Sequence, residues 1–410
     1  MSRVLGLLSK SYYKGPEKRV GTQRSLKICI VQPYDFDEEG GVKKHALHLA
    51  SRLRALGDRV DLIGPYSGSS TLPENTFGLP GVINIIANGS DNRMGLLSSP
   101  NRIRELMKWG RYDVVHVMEP SVPALPWYAA WFSGDAARIA TFHAYSEREG
   151  ALIRAARSLL CRQQLKLFDA GIAVSRAAQV YARRSWSRKL PIIPNGVDTS
   201  QFTPPVEINR SNRNVRFLFV GRWRDQRKGL GSLVAAFDRL SAREPSAELH
   251  VVGDGDFRHS PPTRSKRITY HGVLSETALV QMYRLCDVFV APSTGMESFG
   301  IVLLEAMASG RPIICSDIEG YRGWVDRAGA VLVPPQEIAP LEEAMTQLIH
   351  DPDRRRQMGT ANRRRSLDFD WTQLAIRIRR EYLRALAAKG RVFSLRAEPD
   401  ELSLPAFGSP

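Results

Sequence analysis

The stretch VRFLFVGRWRDQRKG, residues 215–229, runs from apolar residues through a glycine into a basic loop, the order in which a buried parallel strand delivers its carboxyl end to a helix. Five comparable apolar runs follow it: ELHVVG (248–253), RITYHG (267–272), DVFVAP (287–292), RPIICS (311–316) and AVLVPP (330–335), with helical patterns between most of them. Working back toward the amino terminus, the same alternation has already occurred once. LKICIVQ (26–32), DRVDLIG (58–64), VINII (82–86), DVVHV (113–117), RIATF (138–142) and GIAV (171–174) read as buried parallel strands. The helical segment VKKHALHLASRLRAL (42–56) places Ala46, Leu49, Ala50, Leu53 and Leu56 on one stripe. The chain therefore reads as two doubly wound α/β domains in tandem, with ligands expected on the loops after strands, along a shared cleft.

Length agrees, because 410 residues exceed the size at which one hydrophobic core stops growing. The reading divides the chain into a basic arm (1–25), a first Rossmann-like domain (26–205), a second (206–370), a helix crossing back to the first domain (371–388) and a loose tail (389–410). Residues 1–24 hold six Lys or Arg against one acid and no sustained periodicity. Residues 337–349 and 352–388 read as helical and rich in arginine, with Trp371 following Asp370. No stretch has the roughly 18 consecutive apolar residues of a membrane span. The opening MSRVLGLLSKSYYKGPEKR lacks the apolar core and small-residue cleavage site of a signal peptide, so the cytoplasm is the default compartment. Cys29, Cys161, Cys286 and Cys315 lie far apart without metal-ligand spacing, which points to reduced core thiols and no metal site. A net charge of +16 favours an anionic partner, whether nucleic acid, anionic lipid or a phosphate-bearing substrate.

Three constellations carry candidate chemistry. In EEGGVKKH (38–45), Gly40 and Gly41 let backbone amides approach an anion at a helix start; the alternative is a plain turn. In GRWRDQRKG (221–229), Arg222 and Lys228 sit past a strand end, where two fixed cations suit a diphosphate leaving group; the alternative is a solvated basic loop. In APSTGMESFGIVLLEAMASGRP (291–312), Glu297 lies in a turn and Glu305 eight residues on in an apolar helix, where a carboxylate needs a partner such as a sugar or ribose hydroxyl. Ser298, Phe299 and Gly300 put amides at that helix start. A surface glutamate with a helix ion pair is the competing account of this last pair.

Taken in order, GGVKKH, PNGVD (194–198), FVGRW with RKG (219–229), VVGDGD (251–256), HGV (271–273) and ESFGIVLLEAMASGRPII (297–314) resemble glycosyltransferase family four over residues 26 to 388. Within it, QPYDFDEEGGVKKH (32–45), NRIRELMKWGRYDVVHVMEP (101–120), ATFHAYS (140–146) and APSTGMESFGIVLLEAM (291–307) are most similar to the phosphatidylinositol mannosyltransferases. The resemblance implies a GT-B fold, two Rossmann-like domains facing a central cleft, and a retaining transfer of a hexose. It implies mannose from GDP-mannose as donor, no tightly bound cofactor, and any divalent cation held through the donor diphosphate.

Carried over by position, Gly41 contacts the donor and Arg222 and Lys228 hold its diphosphate. Glu297 binds sugar hydroxyls, with Ser298, Phe299, Gly300 and Ile301 beside it, and Glu305 binds the ribose. His143 sits beside the transferred sugar; outside this resemblance it reads as a core histidine. Tyr34, Asp37, Lys43, Asn88 and Arg148 fall on the acceptor side, for a lipid-linked or inositol-phosphate acceptor. Lys43, Ala144 and Arg148 replace the subgroup's usual Gln, Thr and Lys there.

The basic helix PNRIRELMKWGR (100–111) offers Arg102, Arg104, Lys108 and Arg111 to an anionic membrane surface, with Ile103, Leu106, Met107 and Trp109 between them. The alternative is an amphipathic helix packed on its sheet. Peripheral placement on the inner membrane face follows from the first reading. Other readings are a family-four enzyme using a UDP-sugar, a nucleotide-sugar epimerase of the same fold and, from the Arg clusters 354–356, 363–365 and 377–380, a nucleic-acid binder. Those arginines lack the interleaved aromatics of base recognition, so no nucleic acid is expected.

Overall fold

The computed structural model describes residues 25–87, 90–146, 161–205, 214–255 and 260–391. Twelve of its strands form two parallel six-stranded sheets. The first runs in the order β3 (Thr76–Leu79), β2 (Arg59–Pro65), β1 (Lys27–Val31), β6 (Val114–Met118), β7 (Ala137–Phe142), β8 (Ala170–Ala173), and the second in the order β11 (Ile268–Gly272), β10 (Ala247–Val252), β9 (Val215–Val220), β12 (Val288–Ala291), β13 (Ile313–Ser316), β14 (Ala330–Val333), so both have the same doubly wound plan.

In the first sheet β1 (Lys27–Val31) is central, between β2 (Arg59–Pro65) and β6 (Val114–Met118), and β7 (Ala137–Phe142) and β8 (Ala170–Ala173) continue it. In the second, β9 (Val215–Val220) is central, between β10 (Ala247–Val252) and β12 (Val288–Ala291). These strands are apolar runs because both of their faces are covered by helices. The expected stripe on α1 (Gly41–Ala55) holds, with Ala46, Leu49, Ala50 and Leu53 fully buried.

One strand assignment needs correction. VINII does not join the parallel sheet: β4 (Ile83–Ala87) pairs antiparallel with β5 (Ser90–Met94) in a separate ribbon, and the edge place belongs to β3 (Thr76–Leu79). The Ala87 to Ser90 register leaves Asn88 and Gly89 between the strands, and that dipeptide is a strong hairpin signal in sequence.

The chain crosses between the sheets twice, and the two crossings pair. Val197 bridges Asp370; Val197 N donates to Phe369 O at 2.9 Å and Trp371 N to Val197 O at 3.2 Å. Gly196 leaves the room: a Cβ there would lie 2.6 Å from the Trp371 ring. Beyond the crossing, α10 (Trp371–Ala388) packs against α1 with Trp371, Leu374, Ile378, Tyr382 and Leu386 in the first domain's core.

The arginine clusters tie elements together. Arg363, on α9 (Pro352–Ser366), donates to the carbonyls of Thr199, Phe202 and Ala308, and Arg355 to those of Leu348 and Ile349. Arg379 pairs with Asp58 at 2.7 Å. Asp58 also accepts from Leu26 N at 3.0 Å, so this buried pair clamps α10 to the edge of the first strand. Removing one partner leaves the other charge buried, which costs about 3–5 kcal/mol. Arg379→Ala should therefore lower unfolding free energy by that order in urea titrations, whereas Arg364→Ala, on an exposed position, should change it little.

Candidate active site

Beyond β9 the chain turns at Gly221, and Trp223, 5% exposed, is held by Trp223 N donating to Asp254 O at 2.9 Å. Asp225 then caps a short 3-10 turn, Gln226–Lys228, by accepting from Arg227 N at 3.1 Å. Gly229 ends that turn at φ +73°, and a Cβ on it would fall 1.9 Å from Pro292 O, so a side chain there is excluded twice over. The turn presents Lys228, whose Nζ donates to Glu297 Oε2 at 2.6 Å. Arg227 pins the same loop from below, donating to Met296 O at 2.9 Å. Burial pushes the Glu297 carboxyl up, but Lys228 and then Arg227 outweigh it and hold the group below its ordinary value.

The helix α7 (Ile301–Ala308) starts at Gly300, which has φ +85°. Phe299 stacks on Trp324 at 4.4 Å, so its side chain belongs to the core. Glu305, 4% exposed, accepts from the Tyr283 hydroxyl at 2.8 Å and faces Lys44 Nζ at 3.4 Å. Glu305 holds the Lys44 ammonium above its ordinary value. Lys44 belongs to the first domain, so this pair spans the cleft.

A second pair spans it beside the first: Arg222 Nη1 lies 3.2 Å from Glu38 Oε1. Gly41 sits between them, and a Cβ there would come within 3.2 Å of Ile301 Cδ1. The structure thus brings Gly41, Arg222, Lys228, Glu297, Gly300, Ile301 and Glu305 to one seam between the domains.

His143 follows β7 at the floor of the first domain's side and is 6% exposed. Its backbone N and that of Ala144, the latter at 2.8 Å, donate to the buried carboxylate of Glu119. The His143 ring meets His45 edge-on at 4.8 Å, and the buried Nε2 atoms of both rings lack a hydrogen-bond partner among the described residues. His45 Nδ1 lies 2.8 Å from Asn195 Oδ1. Glu119, His45 and Asn195 are roles that reading the sequence missed. His45 was legible as a histidine on an otherwise apolar stripe; Glu119 carries no comparable signal.

The acceptor-side residues separate. Tyr34 lies in the cleft, where burial and the Glu119 carboxylate push its phenol up against the opposing pull of Arg222. Asp37 is engaged by the loop 67–70, accepting from Ser67 Oγ at 2.8 Å and Ser69 N at 2.9 Å. Lys43 turns back on its own loop, 2.6 Å from Glu39 Oε1 and 3.2 Å from Phe36 O. Asn88 and Arg148 lie outside the described residues. A cavity of about 380 Å³ opens between the domains, lined by Tyr145 and Val180 on one side and Thr294, Gly295, Asp317 and Arg322 on the other. Among the described residues, no group of three or more His, Cys, Asp or Glu is placed to hold a metal ion.

The helix α2 (Pro100–Gly110) buries Ile103 and Met107 against the first sheet, with Leu106 packed beside them. Those apolar residues therefore do not lie beneath the cations on the outer face. Arg102, Arg104, Lys108 and Arg111 are exposed together with Trp109, which is 67% exposed. No helix among the described residues is long and apolar enough to cross a membrane.

The family model described as Glycosyltransferase Family 4 matches residues 39–201, and that described as Glycosyl transferases group 1 matches residues 214–351. The chain is 32% identical over 365 residues to the phosphatidyl-myo-inositol mannosyltransferase of Mycolicibacterium smegmatis, covering 87% of this chain and 93% of that one. Among solved structures, sucrose-phosphate synthase from Thermosynechococcus elongatus superposes with a TM-score of 0.71 at 22% identity, over 89% of this chain and 100% of that one. The Anabaena protein HepE in complex with UDP gives 0.70 at 18% identity, over 87% and 99%.

The buried histidines make a pH prediction. Burial lowers His45 to about 4 and His116 to about 3, and pushes His143 well below the usual histidine range. The folded chain keeps these rings neutral at pH 5, while the unfolded chain protonates them near pH 6.5. Stability is therefore fully present above pH 6.5 and lost as pH falls from there toward 4, at about 1.4 kcal/mol per unit for each ring. The carboxylates held low, Glu297, Asp198 and Asp370, act only below about pH 4.5. The melting temperature should drop between pH 6.5 and 5; a flat profile across that window would contradict the assignment.

Proposed function

The chain belongs to glycosyltransferase family 4, and from that premise we propose that it moves mannose from GDP-mannose, with retention of configuration, onto an inositol-phosphate lipid. Its fold is GT-B and it is a glycosyltransferase. The observation that carries the donor-site reading is the pairing of Lys228 with Glu297, at the seam where Gly41 meets α7. The named activity of its mannosyltransferase relative supports the choice of sugar and acceptor.

In this reading Arg222 and Lys228 stabilise the diphosphate as the glycosidic bond breaks, which is where negative charge grows. Glu297 orients Lys228 and takes hydroxyls of the sugar; Glu305 takes those of the ribose. The unpartnered Nε2 of His143 is a ready donor or acceptor for the sugar on the opposite side. Retention through a covalent intermediate needs a carboxylate on the face away from the leaving group. A front-face route needs none, and there the departing diphosphate oxygen receives the acceptor's proton. A divalent ion would act through the diphosphate, in the manner of magnesium on phosphate substrates.

Losing one cation aimed at a leaving group costs roughly 10²–10³ in turnover. Lys228→Ala and Glu297→Ala should each lose activity of that order while remaining folded at the assay temperature by circular dichroism, the unpaired partner lowering stability without unfolding the chain; near-normal turnover in either removes that residue from the site. Thermal shift with GDP-mannose tests the donor, since a ligand at 100 times its dissociation constant stabilises by about 2.7 kcal/mol. Tight binding of a UDP-sugar with none of GDP-mannose would overturn that part.

We also propose that the enzyme docks on anionic membranes through α2, whose exposed Arg102, Arg104 and Lys108, with Arg111 just past its end, accompany the exposed Trp109. Each such cation contributes on the order of 1 kcal/mol near an anionic surface, attenuated by salt. Wild type should pellet with anionic but not neutral vesicles and release at high salt. Unchanged pelleting after replacing Arg102, Arg104, Lys108 and Arg111 with Ser would exclude α2 as the docking surface.

A further inference from the structure

A second charged hollow lies at the β8 edge of the first sheet, away from the seam between the domains. After α4 (Arg176–Ala182) the chain turns through RRSWSRK, residues 183–189, and Trp186, 3% exposed, anchors that turn. Its ring meets Phe142 edge-on at 5.5 Å, and a Cβ on Gly171 would sit 2.7 Å from it. Five cations gather around this anchor: Arg162 and Lys166 from one side, Arg183, Arg184 and Arg188 from the turn.

Two of them are held in place by backbone. Arg188 Nη2 donates to Leu165 O at 2.9 Å with its guanidinium 4.5 Å over the Trp186 ring, and Arg162 Nη2 donates to Arg184 O at 3.3 Å. Together they rim a hollow of about 570 Å³ that has no carboxylate among its described lining residues. Asp169, the acid that bears on Arg188, is itself held by Lys389 at 3.2 Å and by Arg138 N at 2.7 Å. Ser185 also lines the hollow, and its buried Oγ has no hydrogen-bond partner among the described residues.

Like charges fixed around a concave surface repel, and a bound anion relieves that repulsion while forming charge-assisted hydrogen bonds. The donors are planar guanidinium groups held by backbone and ring contacts, which suits the several oxygens of a tetrahedral anion better than a single carboxylate. We propose that this hollow is a phosphate-binding site, distinct from the donor cleft, which takes a phosphate mono- or diester with Arg162, Lys166, Arg183 and Arg188 as cations and Ser185 as a neutral partner. A lipid headgroup and a free phosphate ester share that chemistry, so the test has one arm for each. The proposal does not depend on the identity of donor or acceptor.

Lys166 and Arg183 are both exposed, so Lys166→Ser/Arg183→Ser removes two rim charges without touching the Trp186 anchor. One arm titrates full-length chain with glycerol 3-phosphate by calorimetry, in a Lys228→Ala background so that the donor cleft contributes equally throughout. The other measures pelleting with phosphatidylcholine vesicles, with and without phosphatidylglycerol. Arg239→Ser/Arg327→Ser, at exposed positions of the second domain, makes the same charge change elsewhere. A loss of about tenfold or more in glycerol 3-phosphate affinity, confined to the first pair, supports the site for a free ester. A comparable loss confined to phosphatidylglycerol vesicles supports it for a lipid headgroup. Unchanged binding in both arms, or equal losses in the Arg239/Arg327 control, overturns the proposal, and stability to heat in each variant shows that the fold is intact.

Discussion

The pairing of the two interdomain crossings, Val197 against Asp370, is the constraint on which the rest of the architecture depends. Because both crossings pass through one point, the sheets share a single seam and α10 is delivered back onto α1. The seam is locked by more than the bridge. Asp370 Oδ2 accepts from Thr199 Oγ1 at 2.6 Å, its other oxygen caps α10 through Thr372 N at 2.8 Å, and the Trp371 ring fills the space that Gly196 leaves open. Trp371 in turn lies edge-on to His45 at 4.9 Å, and His45 touches His143. The residue beside the proposed sugar site is thus positioned by the same contact that joins the domains.

Much of this was legible in the sequence because burial on both faces forces strands into unbroken apolar runs, and twelve such runs in two series admit few arrangements. The failures have local causes. VINII is apolar enough for a buried strand, but periodicity does not distinguish a parallel core strand from half of a hairpin, and the Asn-Gly pair that does distinguish them lies just beyond it. TFGL, the true edge strand, has Thr76 and Gly78 alternating with its apolar residues and is only partly buried, so it makes no unbroken apolar run.

At the seam, residue types at strand ends pointed to residues that the structure brings together, whereas their partners could not be read from one chain. Nothing in EEGGVKKH tells that Lys44 reaches Glu305 while Lys43 folds back on Glu39. Adjacent residues on a helix point about 100° apart, so which of two neighbouring lysines crosses the cleft is decided by the helix's rotation about its axis. That rotation is fixed by packing on the sheet. The partners of Asp37 were illegible for a related reason, since its serines lie thirty residues on, in a loop with no apolar pattern to place them.

The charges at the seam lead to one further step. Arg222, Lys228 and Glu305 each have an ionic partner within the protein, and for Arg222 and Glu305 that partner comes from the opposite domain. An isolated buried charge is costly, so these pairings keep the site's cations and carboxylates tolerable when they face one another. A diphosphate approaching Arg222, as proposed, would meet a guanidinium already bound to a carboxylate, and its binding would be an exchange of one anion for another. The same holds at Glu305, where ribose hydroxyls would compete with the Lys44 ammonium. In each exchange the displaced group belongs to the loop and helix start that form the first domain's lip of the cleft. In the proposed reading, donor binding would therefore compete with the two contacts, Glu38 to Arg222 and Lys44 to Glu305, that tie the first domain's lip to the second domain.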